Sequence, residues 1–431
     1  MLSCKCAFVL KSLGNGAGHM IDMLVLRIPF RSDLVSERLD SNGDYVGHVD
    51  LSEVSRLSGL TLAAHTVEYA IDGDLTISGL KHPYESLPSH YTGIALKVFE
   101  GGKNFEPCVE LKASPAKVLQ GHNVFGPTNF ELCGVDFFGA LEASLPRLYD
   151  LLDVVSTVVA RIDVTFSARV ANDHIANQVI SFLRNVSNGQ TKRTRSQDYE
   201  STVMWNEGSR HRTLVAYLKY HEMQAQLKRL QKKKSSHLSA YEKNALKVLS
   251  DPELQEFTFG LVRFEARLHN RFFESFGLPR KFVDLVKYQS VYSGGSFQLI
   301  VDLWKKSFKD LFEAFEGSEM NVYDDTKVYD ALKSEFGTVS PKTGNVSYSK
   351  ANRLFGFYRR LLNEGYDNVS STMARNTFWR HLTDLTSVGL SKAQLMNLTA
   401  DSNVVPFVKF INVDFSNQYP SWYREPVSLY A

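Results

Sequence analysis

Three short segments that alternate apolar with polar residues constrain this chain more than anything else in it. Residues 161–166 run Arg161, Ile162, Asp163, Val164, Thr165, Phe166. Residues 262–268 run Val262, Arg263, Phe264, Glu265, Ala266, Arg267, Leu268, and residues 214–219 run Leu214, Val215, Ala216, Tyr217, Leu218, Lys219. Side chains alternate across a strand, so each segment carries one apolar face fit to cover a helical layer. Further strand-like runs occur at 23–28, 93–99 and 108–113. Helical spacing near 139–153, 172–186, 222–250 and 297–315 is interleaved with them. This mixture predicts an α+β fold, a mainly antiparallel sheet with helices on one face.

The chain has 431 residues, room for two or three domains at about 150 residues each. At 43% hydrophobic and 22% charged residues it is not a wholly disordered chain. The composition changes after Glu316-Gly317-Ser318. Helical spacing at 349–364 and 371–388, and a short helix opening at Ser391, predict a small, mainly helical C-terminal domain over 320–431, behind a larger one over 20–315. Residues 1–19 match neither part, and their apolar piece is too short for a secretory signal, so Met20 reads as the functional start after a dispensable leader. Four cysteines, Cys4, Cys6, Cys108 and Cys133, exclude a disulfide scaffold and suit a reducing compartment. No apolar run is long enough to span a membrane.

If the three segments share a sheet, its second face gathers Asp163, Glu265, Tyr217 and Lys219. Two carboxylates suit Mg²⁺ or Mn²⁺. A tyrosine hydroxyl can attack phosphorus and form a covalent ester, and a lysine two residues on can stabilise phenolate or phosphate charge. Arg161, Arg263 and Arg267 can hold flanking phosphates. The same pattern also describes a solvent-facing sheet laced with salt bridges. Between 191 and 250 stand 13 Lys or Arg against 5 Asp or Glu, a net of +8 in a chain whose total is +2. That window, with Lys232, Lys233 and Lys234 at its centre, is either a solvated helix face or an electrostatic footprint for phosphate. Other chemistries lack their motifs. There is no phosphate-binding Gly-rich loop, no Gly-x-Ser-x-Gly elbow and no His-x-His pair, and His65, His82, His90, His122 and His211 are scattered.

At these residues the chain resembles tyrosine-dependent rolling-circle replication initiators, in which segments like Arg161-Ile-Asp163, Tyr217-Leu-Lys219 and Arg263-Phe-Glu-Ala-Arg267 follow one another in this order. It is similar in particular to the gene II replication proteins of filamentous bacteriophages. The likeness extends through Met20-Ile-Asp-Met-Leu-Val-Leu-Arg27, the stretches 66–69, 71–75, 113–126 and 185–192, and the tail stretches 355–360 and 410–415. The resemblance implies a rolling-circle initiator nuclease domain over 20–315. Such an enzyme nicks the viral strand of the double-stranded replicative form at the plus origin, leaves a 3′-hydroxyl primer, and later cuts and circularises the displaced single strand. Tyr217 would be the nucleophile, with Lys219 beside it, and Asp163 and Glu265 would hold Mg²⁺ or Mn²⁺. The third ligand is left unassigned: Glu110, which faces the same way as Cys108 and Lys112 on its strand, is a candidate, with core or salt-bridge use the alternative. The implied partners are plus-origin duplex DNA, displaced single-stranded viral DNA, and the host helicase and DNA polymerase in the host bacterial cytoplasm, with assembly of several copies on the origin left open.

Tyr220 is the rival nucleophile. On a strand it faces away from Tyr217 and lacks a lysine two positions on, whereas on a helix the two would share a face. The resemblance also implies an internal start, at Met320, giving a separate product that binds single-stranded DNA. In that tail Arg353, Arg375 and Arg380 mix with Phe357, Tyr358, Phe378 and Trp379, a set that either stacks bases or builds a helical core. The alternative to the nickase is a DNA-binding regulator of phage replication without catalysis.

Overall fold

The structure is a computed structural model that describes residues 19–39, 42–69, 75–103, 106–194, 201–292, 295–315, 322–398 and 419–430. Most of the expected leader, the expected start at Met320 and the stretch 410–415 lie outside these residues. The first strand is β1 (Met20–Pro29). Two small hairpins follow, β2 (Ser36–Leu39) with β3 (Tyr45–His48), then β4 (Ala63–Tyr69) with β5 (Leu75–Lys81). Next come β6 (Glu85–Pro88), β7 (Gly93–Phe99), β8 (Cys108–Ala113), β9 (Val158–Arg169), β10 (Thr202–Trp205), β11 (Arg212–Leu218) and β12 (Leu261–Leu268).

Eight of these strands form one sheet in the order β10-β11-β12-β9-β1-β8-β7-β6, every neighbouring pair antiparallel. The alternation read from the sequence sets the two faces. Ile162, Val164 and Phe166 of β9, Val262, Phe264 and Ala266 of β12, and Leu214 and Ala216 of β11 all lie in the main core. Covering them are the helices Phe130–Ser144, Asp173–Leu183 and Gly295–Glu313. Trp304, 1% exposed, anchors the last of these by donating its indole N–H to the Phe264 carbonyl at 3.1 Å. Burying a side chain of that size contributes on the order of 3 kcal/mol relative to leaving it in water. His19, expected to belong to the leader, stacks on Phe166 with ring centres 4.1 Å apart. Its ring is buried in this core.

Several element bounds differ from expectation, each for a local reason. The helix expected over 139–153 lies at Phe130–Ser144, opened by Asn129, whose side chain accepts from the N–H groups of Glu131 and Leu132, and followed by a short turn of helix at Pro146–Tyr149. The single helix expected over 222–250 is two, Lys219–Gln231 and Ala240–Leu249. A capping box of Ser239 and Glu242 starts the second. The strand expected over 213–219 stops at Leu218, and Lys219 is already the first helical residue.

Beyond residue 322 the chain has its own core. Val328, Leu332, Leu354, Phe357, Tyr358, Leu361, Phe378 and Leu382 pack together from the helices Asp325–Phe336, Ser349–Glu364 and Arg375–Ser387. Phe357, Tyr358 and Phe378 are therefore core residues, while Trp379 is 42% exposed. The last described segment returns to the main body: Tyr419 donates its hydroxyl to the Gly126 carbonyl at 3.1 Å, and Tyr419, Trp422 and Tyr423 all pack edge-on to Phe125. No helix among the described residues is long and apolar enough to cross a membrane.

Candidate active site

The face of the sheet opposite the main core carries the polar residues in register. Tyr217 of β11 stands across from Arg263 of β12, and Arg263 across from Ser167 of β9. One row along, Val215, Glu265 and Thr165 align, and in the next Thr213, Arg267, Asp163 and Met23. Over these rows opens a cleft of about 1030 Å³, lined among others by Asp22, Arg161, Asp163, Tyr217, Glu265 and Arg267. Tyr220 does not line it; its ring packs edge-on to Phe259 at 5.5 Å. Of the two tyrosines, only Tyr217 faces the cleft.

Burial, with Glu265 and Asp22 adding negative charge nearby, holds the Tyr217 phenol well above its ordinary value. An attack by this oxygen at neutral pH therefore needs help in shedding its proton. Lys219 sits behind it, its Nζ 5.9 Å from the ring centre. That ammonium is fully buried, and it donates to Asn123 Oδ1 at 2.7 Å and Glu222 Oε2 at 2.5 Å. Burial pulls Lys219 down to about 8, although the Glu222 charge opposes the shift. Glu222 is held down at about 2 by Lys219 and Lys117, which outweigh the cost of its burial. Lys219 thus stands at the start of a helix rather than at the next position on the same strand face, its ammonium held by Asn123 and Glu222.

Asp163 and Glu265 lie diagonally on adjacent strands, and each is met by an arginine of its own strand. Arg161 grips Asp163 through Nε at 2.6 Å and Nη2 at 2.5 Å, while Arg267 Nε donates to Glu265 at 2.7 Å. Burial pushes Asp163 up to about 7 and the neighbouring Glu265 adds to the rise, against the pull of Arg161 and Arg267. Such a pair, all oxygen and mutually repelling, has the chemistry that would suit a hydrated divalent cation. It is an open site at most: among the described residues no group of three or more His, Cys, Asp or Glu side chains is placed to hold a metal. Glu110 does not join it, being paired with Arg27 at 2.9 Å and absent from the cleft lining.

Of the residues expected to meet DNA, Arg161 and Arg267 line the cleft. Arg263 does not, and the expectation is corrected. Its guanidinium, 1% exposed, donates to Ser167 Oγ at 3.0 Å, to the Asn123 carbonyl at 2.6 Å and to the Val124 carbonyl. It pins the 121–126 loop to the sheet and has no access to phosphate. Lys232, Lys233 and Lys234 are exposed in the turn between two helices, with Lys233 reaching Glu242 at 2.6 Å. Three contributors escaped the sequence pattern: Asp22, Asn123 and Glu222. Asp22 sits where β1 slips register against β9, and its Oδ1 accepts from Asn123 Nδ2 at 2.7 Å. Asn123 follows the left-handed turn at Gly121, φ 84°, that ends the preceding helix.

The sequence matches the N-terminal model of a replication-associated protein family over residues 20–294, and the C-terminal model of the same replication-associated protein over 341–429. The chain belongs to this family. It is 79% identical over 411 residues to the replication-associated protein of Salmonella phage IKe, covering 95% of this chain and 97% of that protein. To the replication-associated protein of Enterobacteria phage f1 it is 60% identical over 408 residues, covering 95% of this chain and 99% of that protein. A rolling circle replication initiator protein from Geobacillus stearothermophilus aligns over 79% of this chain and 96% of its own, with 12% identity and a TM-score of 0.23, too slight a likeness to bear on the fold. As a member of this family the chain is a replication-associated protein, and its Tyr217 cleft lies within the span of the N-terminal family model.

Proposed function

We propose that this protein is the rolling-circle replication initiator of a filamentous phage, a site- and strand-specific nickase that cuts the viral strand at the plus origin and later rejoins the displaced strand into a circle. The observation that carries this reading is Tyr217 lining one cleft with Asp163 and Glu265 on the same sheet face. The Tyr217 oxygen attacks the scissile phosphorus as it loses its proton. The bond from phosphorus to the 3′ oxygen breaks, that oxygen takes up a proton, and the 5′ end stays on Tyr217 as a phosphotyrosyl ester. The ester conserves the energy of the broken bond, so a 3′-hydroxyl can reverse the step without a nucleotide cofactor. Lys219, held by Asn123 and Glu222, stabilises the forming phenolate. Asp163 and Glu265 would hold Mg²⁺ or Mn²⁺, which supplies charge neutralisation at the phosphoryl oxygens. Arg161 and Arg267 steady the carboxylates and the flanking phosphates.

In the same reading, residues 20–315 bind, nick and join the origin DNA, and the exposed Lys232–Lys234 turn adds electrostatic affinity. The 320–431 region is a DNA-binding domain that also exists as a shorter product, and the protein works with the host helicase and polymerase in the bacterial cytoplasm. The test is a nicking assay on supercoiled plasmid carrying a filamentous-phage plus origin, with Mg²⁺, comparing wild type, Tyr217→Phe and Tyr220→Phe on denaturing gels that reveal DNA-linked protein. Tyr217→Phe is expected to abolish both nick and adduct, and Tyr220→Phe to retain them. Loss in Tyr220→Phe alone moves the nucleophile. A wild type that never nicks its origin, yet binds it, makes the protein a non-catalytic regulator.

A further inference from the structure

A second cleft, of about 850 Å³, lies where the C-terminal region meets the main body. None of the residues assigned to the nucleophile's cleft lines it. One wall is the 184–193 segment, which contributes Arg184, Lys192 and Arg193; the other contributes Tyr366, Arg375 and Trp379. The walls are tied together nearby. Asn185 Nδ2 donates to Asn397 Oδ1 at 3.0 Å, Lys392 Nζ to Asn188 Oδ1 at 3.0 Å, and the Ala393 N–H to the Ala314 carbonyl at 2.8 Å.

Trp379 is the informative residue. Its neighbour Phe378 is buried between Tyr366 and Phe357, as an aromatic on an amphipathic helix ordinarily is. Trp379 instead leaves 42% of its surface open at the cleft, with the Lys392 ammonium 4.9 Å from the ring centre. An open indole that shares its cleft with Arg184, Lys192, Arg193 and Arg375 is a set of side chains suited to stacking a base and meeting the phosphates beside it. Two carboxylates, Glu364 and Asp367, line the cleft beside its four cations, and Glu364 is engaged by Arg360 in a two-point pair at 2.8 Å each. Duplex DNA keeps its bases stacked inside the helix and could offer this indole nothing. An acidic peptide would answer the cations but not the ring.

The two clefts share a border. The Thr194 N–H donates to the Met204 carbonyl at 2.9 Å and Arg193 bridges to Trp205, while Thr202 and Met204 of the same strand β10 line the Tyr217 cleft. We infer that the second cleft binds single-stranded DNA, stacking an unpaired base on Trp379 and holding the flanking phosphates with Lys192, Arg193 and Arg375. This rests on the reading of the chain as a DNA-cutting initiator and deepens it, since such an enzyme must keep hold of the strand it has freed.

The test uses the full-length chain with Tyr217→Phe, so that no strand is cut, and a fluorescein-labelled oligothymidylate of about 12 nucleotides, read by anisotropy and by quenching of tryptophan emission. Trp379→Ala is expected to weaken binding about tenfold or more and to remove most of the quenching, with Trp379→Phe recovering much of the affinity. The double change Lys192→Ala, Arg193→Ala is expected to weaken binding and lower the salt slope by about 0.7 for each phosphate no longer held. A melting curve close to that of the parent shows that the exposed indole was not holding the fold. The inference is overturned if the variants bind the oligonucleotide as tightly as the parent, if the parent does not bind it, or if a duplex of equal length competes as well. Nicking by wild type is scored separately on plasmid, so failure of the nickase reading and failure of this site show in different assays.

Discussion

Replacing Arg263 by methionine tests whether that side chain serves the fold or the DNA. From a guanidinium only 1% exposed it makes three hydrogen bonds to oxygen, two of them to backbone carbonyls of the 121–126 loop, and a weaker one to the Met20 sulfur at 4.0 Å. A hydrogen bond to a charged group contributes about 1.5–3 kcal/mol, and each buried carbonyl left without a donor costs about 1–3 kcal/mol. Removing a buried charge returns part of this, because its desolvation no longer has to be offset. A net loss of about 3 kcal/mol is expected, and at about 2 °C per kcal/mol for a large domain the melting temperature drops by about 6 °C. Arg263→Lys keeps the charge but not the fork and falls between. The assay pairs thermal melts with binding of an origin fragment across a salt series. If Arg263→Met melts within about 1 °C of wild type while its DNA affinity and salt slope fall, the buried-pin argument is wrong and Arg263 touches phosphate.

Three further outcomes are expected. In the proposed mechanism nicking draws on the Tyr217 phenolate and the Lys219 ammonium together; the phenol is held well above its ordinary value, so the rate is expected to rise with pH and to level off near 8, where Lys219 loses its proton. In Lys219→Arg the cation persists and the levelling is expected to disappear, as a pH–rate profile will report. Asp163→Asn and Glu265→Gln should each cut nicking by about 100-fold or more while leaving origin binding in place and raising the Mg²⁺ concentration needed for half-maximal rate. Ending the chain at residue 418 strips Tyr419, Trp422 and Tyr423 from Phe125, and lower nicking with a lower melting temperature is expected, since the 121–126 loop carries the Asn123 that seats Lys219.

What could be read in advance was whatever a period of two encodes. The alternation in 161–166 and 262–268 assigned Ile162, Phe166 and Phe264 to the core and Asp163 and Glu265 to the opposite face, and the register of β9 on β12 has them so. Contacts between distant loops carry no such period. Nothing local marks Asn123 as the partner of Lys219, 96 residues on, or the Asn123 and Val124 carbonyls as the acceptors of Arg263. The strand-to-helix change at Lys219 was hidden because Leu218 and Lys219 continue the alternation. Glu222 in the first helical turn was the local cue. Ser239 with Glu242, three residues later, was an equally legible sign that the 222–250 helix had to break.

The position of β1 at the middle of the sheet sets a timetable for synthesis. It is the first of the eight strands to be made, yet its neighbours are β8, which starts at Cys108, and β9, which starts at Val158. At about 5–20 residues per second the ribosome needs roughly 6–26 s after finishing Pro29 before β9 even begins to emerge. For that interval a ribbon bearing Leu24, Leu26 and Ile28 has at least one open edge, and the helix Phe130–Ser144 is itself finished only shortly before β9 begins. A host cell making this protein quickly therefore accumulates nascent chains with adhesive strands. The yield of soluble protein should depend on chaperone supply and translation speed more than on the stability of the finished sheet.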